Sequence, residues 1–164
     1  MTELLGATAV RGTGPTGGAG LTEAGRYQEI QHFYARHMQS VDAGDAVAWA
    51  RGFTEDGVFD SNVLPAPVVG RDTIESATLA GERRRPAGLV RRHVMTMLTV
   101  DPAPESGPDA VRTRSYVSVL ETLPGARTAL HCSTVCEDVL VRDEDGGWLV
   151  RSRHITRDDL PPRA

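Results

Sequence analysis

The stretch VDAGDAVAWARGFTEDGVFDSN, Val41 to Asn62, decides the fold. Within it one helix ends at Gly44, a second short helix starts after Asp45, and a strand follows Gly57. Asp45 is the expected cap of the second helix, because a carboxylate there accepts a hydrogen bond from an unpaired amide of the first turn. Val47, Ala50 and Phe53 continue at helical spacing, and Trp49 and Phe53 read as buried anchors. After Gly57 the period changes, and Val58, Phe59, Asp60 and Ser61 form a short strand. A helix pair leading into a curved sheet can enclose a pocket, so the segment points to a small-molecule cone.

Upstream, Tyr27, Ile30, Tyr34, His37 or Met38, and Val41 recur at steps of three and four, the signature of one apolar helix face. The ordered domain is expected to run from Leu21 to the end of the chain. Residues Met1 to Gly20 hold six glycines, including GTGPTGGAG, and read as a flexible tail that offers little surface to bury. Downstream, Asp72 and Glu75 fit the spacing of a capping box for a third helix with Ile74, Ala77 and Thr78 available for packing, and Pro86 and Gly88 stop it. Leu89 to Asp101, Ala110 to Leu120, Arg127 to Val141 and Trp148 to Thr156 are rich in β-branched residues and separated by turn sequences. Helices first and long hairpin-connected strands afterwards define an α+β domain with helices on one face of a bent, mainly antiparallel sheet.

At 164 residues the chain is long enough to bury a core without a metal or disulfide scaffold. A formal charge of −4 gives no reason to expect nucleic acid, although five arginines between Arg83 and Arg92 make one local basic cluster. Cys132 and Cys136 lie four apart in one expected strand, roughly 13 Å between α-carbons, about twice the reach of a disulfide. They read as buried thiols acting as small apolar residues in a reducing, cytoplasmic compartment. No run of apolar residues is long enough to span a membrane, and the start of the chain does not read as a secretory leader. No motif indicates a nucleotide, flavin or metal.

The order helix, D-x-G-D, helix, F-x-x-D-G-V-F-D, V-x-G-x-D-x-I, RRHVMTMLTV and a closing D-x-L-V-R, G-G-W-L-V, R hairpin resembles the SnoaL-like branch of the nuclear-transport-factor-2-like superfamily. The resemblance covers about Leu21 to Asp159. It implies a cone-shaped barrel of curved sheet wrapped around N-terminal helices, in a group that includes polyketide cyclases, scytalone-dehydratase-like enzymes, ketosteroid isomerases and small subunits of ring-hydroxylating dioxygenases. Against the dehydratase pattern, Asp42 takes the place of a catalytic aspartate and His93 that of a catalytic strand histidine. Val41 and Ser61 replace the tyrosines that orient water in that branch, and its second histidine falls near Ser115. Against the isomerase pattern, His37 replaces the oxyanion tyrosine and Ser61 the general-base aspartate. Neither of these two mechanisms is therefore retained unchanged.

A histidine near neutral pKa can remove a proton next to a carbonyl or give one to a departing hydroxyl, and an aspartate in reach can fix its tautomer. His93 shares strand parity with Met95 and Met97, which gives it apolar neighbours. His93 is the expected general acid/base and Asp42 its orienting partner. His37, Tyr34 and Ser61 would position substrate oxygens, with Trp49, Met95, Ser115 and Tyr116 along the cavity wall. Asp60, of opposite parity to Ser61, is expected at the rim or in a salt bridge.

These readings point to a cofactor-independent cyclase, dehydratase or isomerase acting on a small cyclic or polyketide-like carbonyl compound. A non-catalytic dioxygenase small subunit and a carrier of a hydrophobic metabolite are the alternatives. The resemblance implies a homodimer, and the Arg83 to Arg92 cluster suggests docking of an acidic acyl carrier protein.

Overall fold

The computed structural model describes residues 22–161 and 163. The Gly-rich tail and the expected start at Leu21 lie outside the described residues. Helix α1 spans Glu23–Asp42, capped by Thr22, whose hydroxyl accepts the Gly25 amide at 3.2 Å. Its buried residues are Ile30, Tyr34, His37 and Met38, the face that the three-and-four spacing marks. Gly44 turns the chain at a positive φ of 75°, a conformation glycine adopts without a Cβ penalty. Asp45 then caps helix α2, Ala46–Arg51, by accepting the Ala48 amide at 2.9 Å.

Strand β1 runs Phe53–Ser61, so Phe53 opens the strand instead of closing the second helix. The reason is local: Gly52 ends α2, and its carbonyl already accepts the Val150 amide at 2.8 Å, committing the chain to the sheet. A register irregularity between Phe53 and Val58 absorbs the change of direction. The short β2, Val68–Val69, pairs back on β1.

Helix α3 occupies Arg71–Glu82 and is not built on the expected capping box. Gly70 takes the cap position with no side-chain bond, and Asp72 sits inside the first turn, where its charge complements the helix dipole. The long strands follow as β3, Val90–Pro102, β4, Val111–Thr122, β5, Ala129–Arg142, and β6, Trp148–Arg157.

The sheet order is β2-β1-β6-β5-β4-β3. Every neighbouring pair is antiparallel except β1 with β6, which is parallel. That single parallel pair brings the strand after the helices beside the last strand of the chain. Ile30, Tyr34, Met38, Trp49, Phe53, Ile74, Val111, Leu140, Trp148 and Val150 form the core between helices and sheet.

On β4, odd-numbered residues from Val111 to Val119 are buried and face the helices, while Arg112, Arg114 and Tyr116 face away. Cys132 and Cys136 are free and buried on the corresponding face of β5. Burial raises both thiol pKa values, which keeps them neutral. Among the described residues no helix is long and apolar enough to cross a membrane.

Candidate active site

Asp42 is the last residue of α1, and His93 lies on β3, the edge strand against which that helix packs. The Asp42 carboxylate accepts the His93 backbone amide through Oδ2 at 3.1 Å and meets the ring Nδ1 through Oδ1 at 2.7 Å. A carboxylate only accepts, so Nδ1 carries a proton and Nε2 is left as the basic atom of the neutral ring. Two bonds from one carboxylate fix both the strand and the imidazole plane. The Asp42 side chain is 8% exposed and that of His93 is 21% exposed, so the pair is partly shielded yet reachable.

His93 forms part of the wall of a cavity of about 320 Å³. Met38, Trp49, Phe59, Val117, Val119 and Ile155 supply apolar wall, and Cys132 and Thr134 lie between them. Arg91, His131 and Arg157 also line it. Arg91 is held there by Glu121, which also sits 3.3 Å from His131. Burial alone would raise the Glu121 pKa, but the Arg91 guanidinium overrides it and holds the carboxyl below its ordinary range. A second groove, of about 350 Å³, also reaches His93 and is lined by Tyr27, Tyr34, Met38, Asp42, Met95 and Met97, among others. His93 therefore borders both.

The other expected residues divide. Trp49 lines the cavity, and Met95 lines the groove beside the dyad. Met97 departs from the parity expected of it: a register irregularity between Thr96 and Thr99 places it at φ 53°, 73% exposed. Ser115 and Ser61 both lie on the inner face and are buried. Neither forms part of the cavity wall, and the Ser61 hydroxyl accepts the Val63 amide at 3.3 Å. Tyr116 faces the outside of the sheet and is 49% exposed, so it is not a wall residue; its even position on β4 puts it on the opposite face from Val117.

His37 is displaced from the expected role as well. Its ring stacks on Trp49 with centroids 4.0 Å apart, and its Nε2 donates to the Trp49 carbonyl at 2.9 Å. It does not border the cavity that His93 lines. Burial, with Arg153 adding to it, pushes the His37 pKa well below the ordinary value and keeps the ring neutral. Tyr34 is reached from the groove, but its hydroxyl is engaged inside the protein, donating to Asp138 Oδ2 at 2.8 Å and pairing with Thr113 Oγ1. Burial and then Asp138 raise its pKa well above the ordinary value, so it stays a neutral phenol. Asp60 sits where expected, in an ion pair with Arg163 and a hydrogen bond with His154.

Sequence reasoning missed the buried centre of the molecule. Arg153 and Asp138, paired across β6 and β5, have fully buried side chains. The Arg153 Nε and Nη2 donate to the Asp138 carboxylate at 2.6 to 3.1 Å. Asp138 stands in the D-x-L-V-R motif and Arg153 in the polar stretch RSRHITRDD, where composition does not mark any one of three arginines as buried. A strict alternation count through Trp148, Val150 and Ser152 also puts Arg153 on the wrong face. The register irregularity between Val139 and Leu140, opposite Val150 to Ser152, is what turns it inward.

A helix pair, a six-stranded open sheet and a histidine–aspartate pair beside an apolar cavity define a cone of the nuclear-transport-factor-2-like kind. Residues 22–154 match the SnoaL-like domain, and the chain belongs to that family. Its structure is similar to ActVI-ORFA from Streptomyces coelicolor, with 31% identity over 85% of this chain and 99% of that one, and a TM-score of 0.78. Aln2 from another Streptomyces species is 30% identical over 85% of this chain and 96% of its own, with a TM-score of 0.76. A protein of Catenulispora acidiphila, solved in complex with S-DNPA, is 34% identical over 84% of this chain and 96% of its own, with a TM-score of 0.75. Among curated proteins none matches the chain in sequence.

Proposed function

We propose that the protein is a cofactor-independent enzyme that moves a proton on a cyclic or polyketide-like carbonyl compound, with His93 as general acid/base and Asp42 as its orienting partner. The observation that carries this reading is the pair of bonds from Asp42 to His93, which leaves Nε2 as the free basic atom beside an apolar cavity. His93 Nε2 takes a proton from the carbon next to the carbonyl, and the electron pair of that C–H bond moves onto the carbonyl oxygen as an enolate. Asp42 stabilises the imidazolium formed and prevents the ring from turning over. The same imidazolium then returns the proton to a different carbon, which gives isomerisation; to the oxygen of a second carbonyl whose π bond opens as the enolate carbon attacks it, which gives ring closure; or to a β-hydroxyl that leaves as water while the enolate electrons form the C=C bond, which gives dehydration. The Catenulispora acidiphila relative was solved with a small molecule bound, which supports a ligand-holding role for a chain of this shape.

The test uses 2-tetralone, a bicyclic ketone with acidic α-hydrogens, in deuterated buffer followed by proton NMR. The wild-type protein is expected to speed α-deuteration above buffer, and His93→Ala to lose at least about a hundredfold of that acceleration while keeping the folded circular-dichroism spectrum. Equal acceleration by the two folded proteins would overturn the assignment.

A further inference from the structure

Arg153 is 1% exposed, forms part of the wall of the cavity that His93 lines, and is only partly used by the protein. Two nitrogens of its guanidinium, Nε and Nη2, are spent on Asp138. The third, Nη1, is buried and has no hydrogen-bond partner among the described residues. A buried donor left unpaired is costly, and a charged one more so, which makes such an atom uncommon unless something else meets it.

The surroundings hold this donor in place. Asp138 fixes the guanidinium plane from one side, and that carboxylate is itself held by the Tyr34 hydroxyl. The aromatic rings of Trp49, Phe53 and Tyr34 lie 5.1, 5.7 and 5.8 Å from the guanidinium carbon. The ion pair with Asp138 offsets the burial cost and raises the Arg153 pKa, so the cation persists at any pH at which the protein folds. A guanidinium fixed by a carboxylate and aromatic faces, with one N–H edge remaining, is a preorganised donor for an electron-rich oxygen.

We propose that Arg153 Nη1 is a substrate-positioning donor, which takes a carbonyl or phenolate oxygen of a ring-containing ligand at the end of the cavity away from His93. The inference rests on the reading of this cavity as a ligand site. Strand register supplies the spacing between the two ends. Val119 pairs with His93 on one side and Cys132 on the other, whereas Asp138 pairs with Arg153. Cys132 and Asp138 are therefore separated by six steps of β5, roughly 20 Å at 3.3 Å per residue. That is the separation of the two backbone rows, and both side chains line the one cavity between them, so a ligand that meets both is elongated, with an oxygen at one end and the reacting carbon toward the other. An extended fused-ring ketone or hydroxylated quinone has that shape.

The matched probes are 2-acetylnaphthalene, with a terminal carbonyl, and 2-ethylnaphthalene, of nearly the same shape without it. Each is titrated calorimetrically into the full chain and into Arg153→Lys, which keeps a cation against Asp138 and removes the fork. The lysine variant is expected to bind the ketone about tenfold or more weakly and the hydrocarbon within about twofold of wild type. Equal changes for the two probes, or no change for the ketone, would overturn the proposal. Should the lysine variant not fold, nitrogen-15 NMR of the wild-type guanidinium decides. The Arg153 Nη resonances are expected to shift with the ketone and not with the hydrocarbon, and unmoved resonances with ketone bound contradict the assignment. The deuteration assay reads His93 and this one reads Arg153, so either can fail alone; absence of binding by both probes would overturn the Arg153 proposal and leave His93 to the deuteration result.

Discussion

At the scale of single residues, two histidines with different partners show how environment divides labour. His93 meets a carboxylate and faces a cavity, whereas His37 meets a carbonyl and an aromatic face. Burial lowers the His37 pKa, so the unfolded chain binds a proton at this ring near pH 6.5 that the folded chain refuses. The contribution is therefore fully present above that pH and is lost as pH falls below it, by up to about 1.4 kcal/mol per pH unit. Urea titrations between roughly pH 5 and 7 are expected to show this loss in the wild type and a shallower slope in His37→Gln; identical slopes would contradict the account. Asp42 and His93 were picked out by the resemblance to the dehydratase pattern, which the sequence carries in D-x-G-D and RRHVMTMLTV. The sequence hid the neutrality of His37 and the burial of Arg153, which depend on what the other strands bring alongside.

At the scale of elements, the turn from α2 into β1 is a tight joint. A Cβ at Gly52 would come within 2.7 Å of His37 Nε2, inside the distance real Cβ atoms keep. The φ of −74° at this position is ordinary, so the constraint is space and not backbone conformation. Gly52→Ala is expected to cost about 1–3 kcal/mol through overpacking, read as a lowered midpoint of thermal unfolding; an unchanged midpoint would show that the His37 ring yields freely. The α1–α2 turn and its Asp45 cap were legible because capping is local chemistry. So were the four long strands, each placed within about two residues at either end in the manner usual for element boundaries. The start of β1 was not, because Phe53 satisfies both a helical spacing and a strand, and only the bond between the Val150 amide and the Gly52 carbonyl decides between them. The irregularity that exposes Met97 was marked in the sequence only by the adjacent apolar residues Met97 and Leu98, which break the alternation between Thr96 and Thr99.

At the scale of the whole molecule, the cone is built so that its first helix and its edge strand meet at one pair of side chains. The long α1 carries Asp42 to the rim, the sheet carries His93 to the same place, and Trp49, Val117 and Val119 wall the space beside them. Charge stays at the margin of that space except for Arg153, whose partner lies on the neighbouring strand. In the Arg83 to Arg92 cluster, Arg85 pairs with Glu82 and Arg91 with Glu121, which leaves Arg83, Arg84 and Arg92 as the exposed members. If the cavity is an active site, Asp42 holds His93 with its proton on Nδ1 and presents a bare Nε2 to the ligand. Long-range proton–nitrogen NMR of the His93 ring, recorded at mildly alkaline pH with and without 2-tetralone, tests it most directly. The expected result is a proton-bearing Nδ1 that stays fixed, and an unprotonated Nε2 whose resonance moves when the ketone binds. A ring protonated on Nε2, or one whose Nε2 ignores the bound ketone, would contradict it.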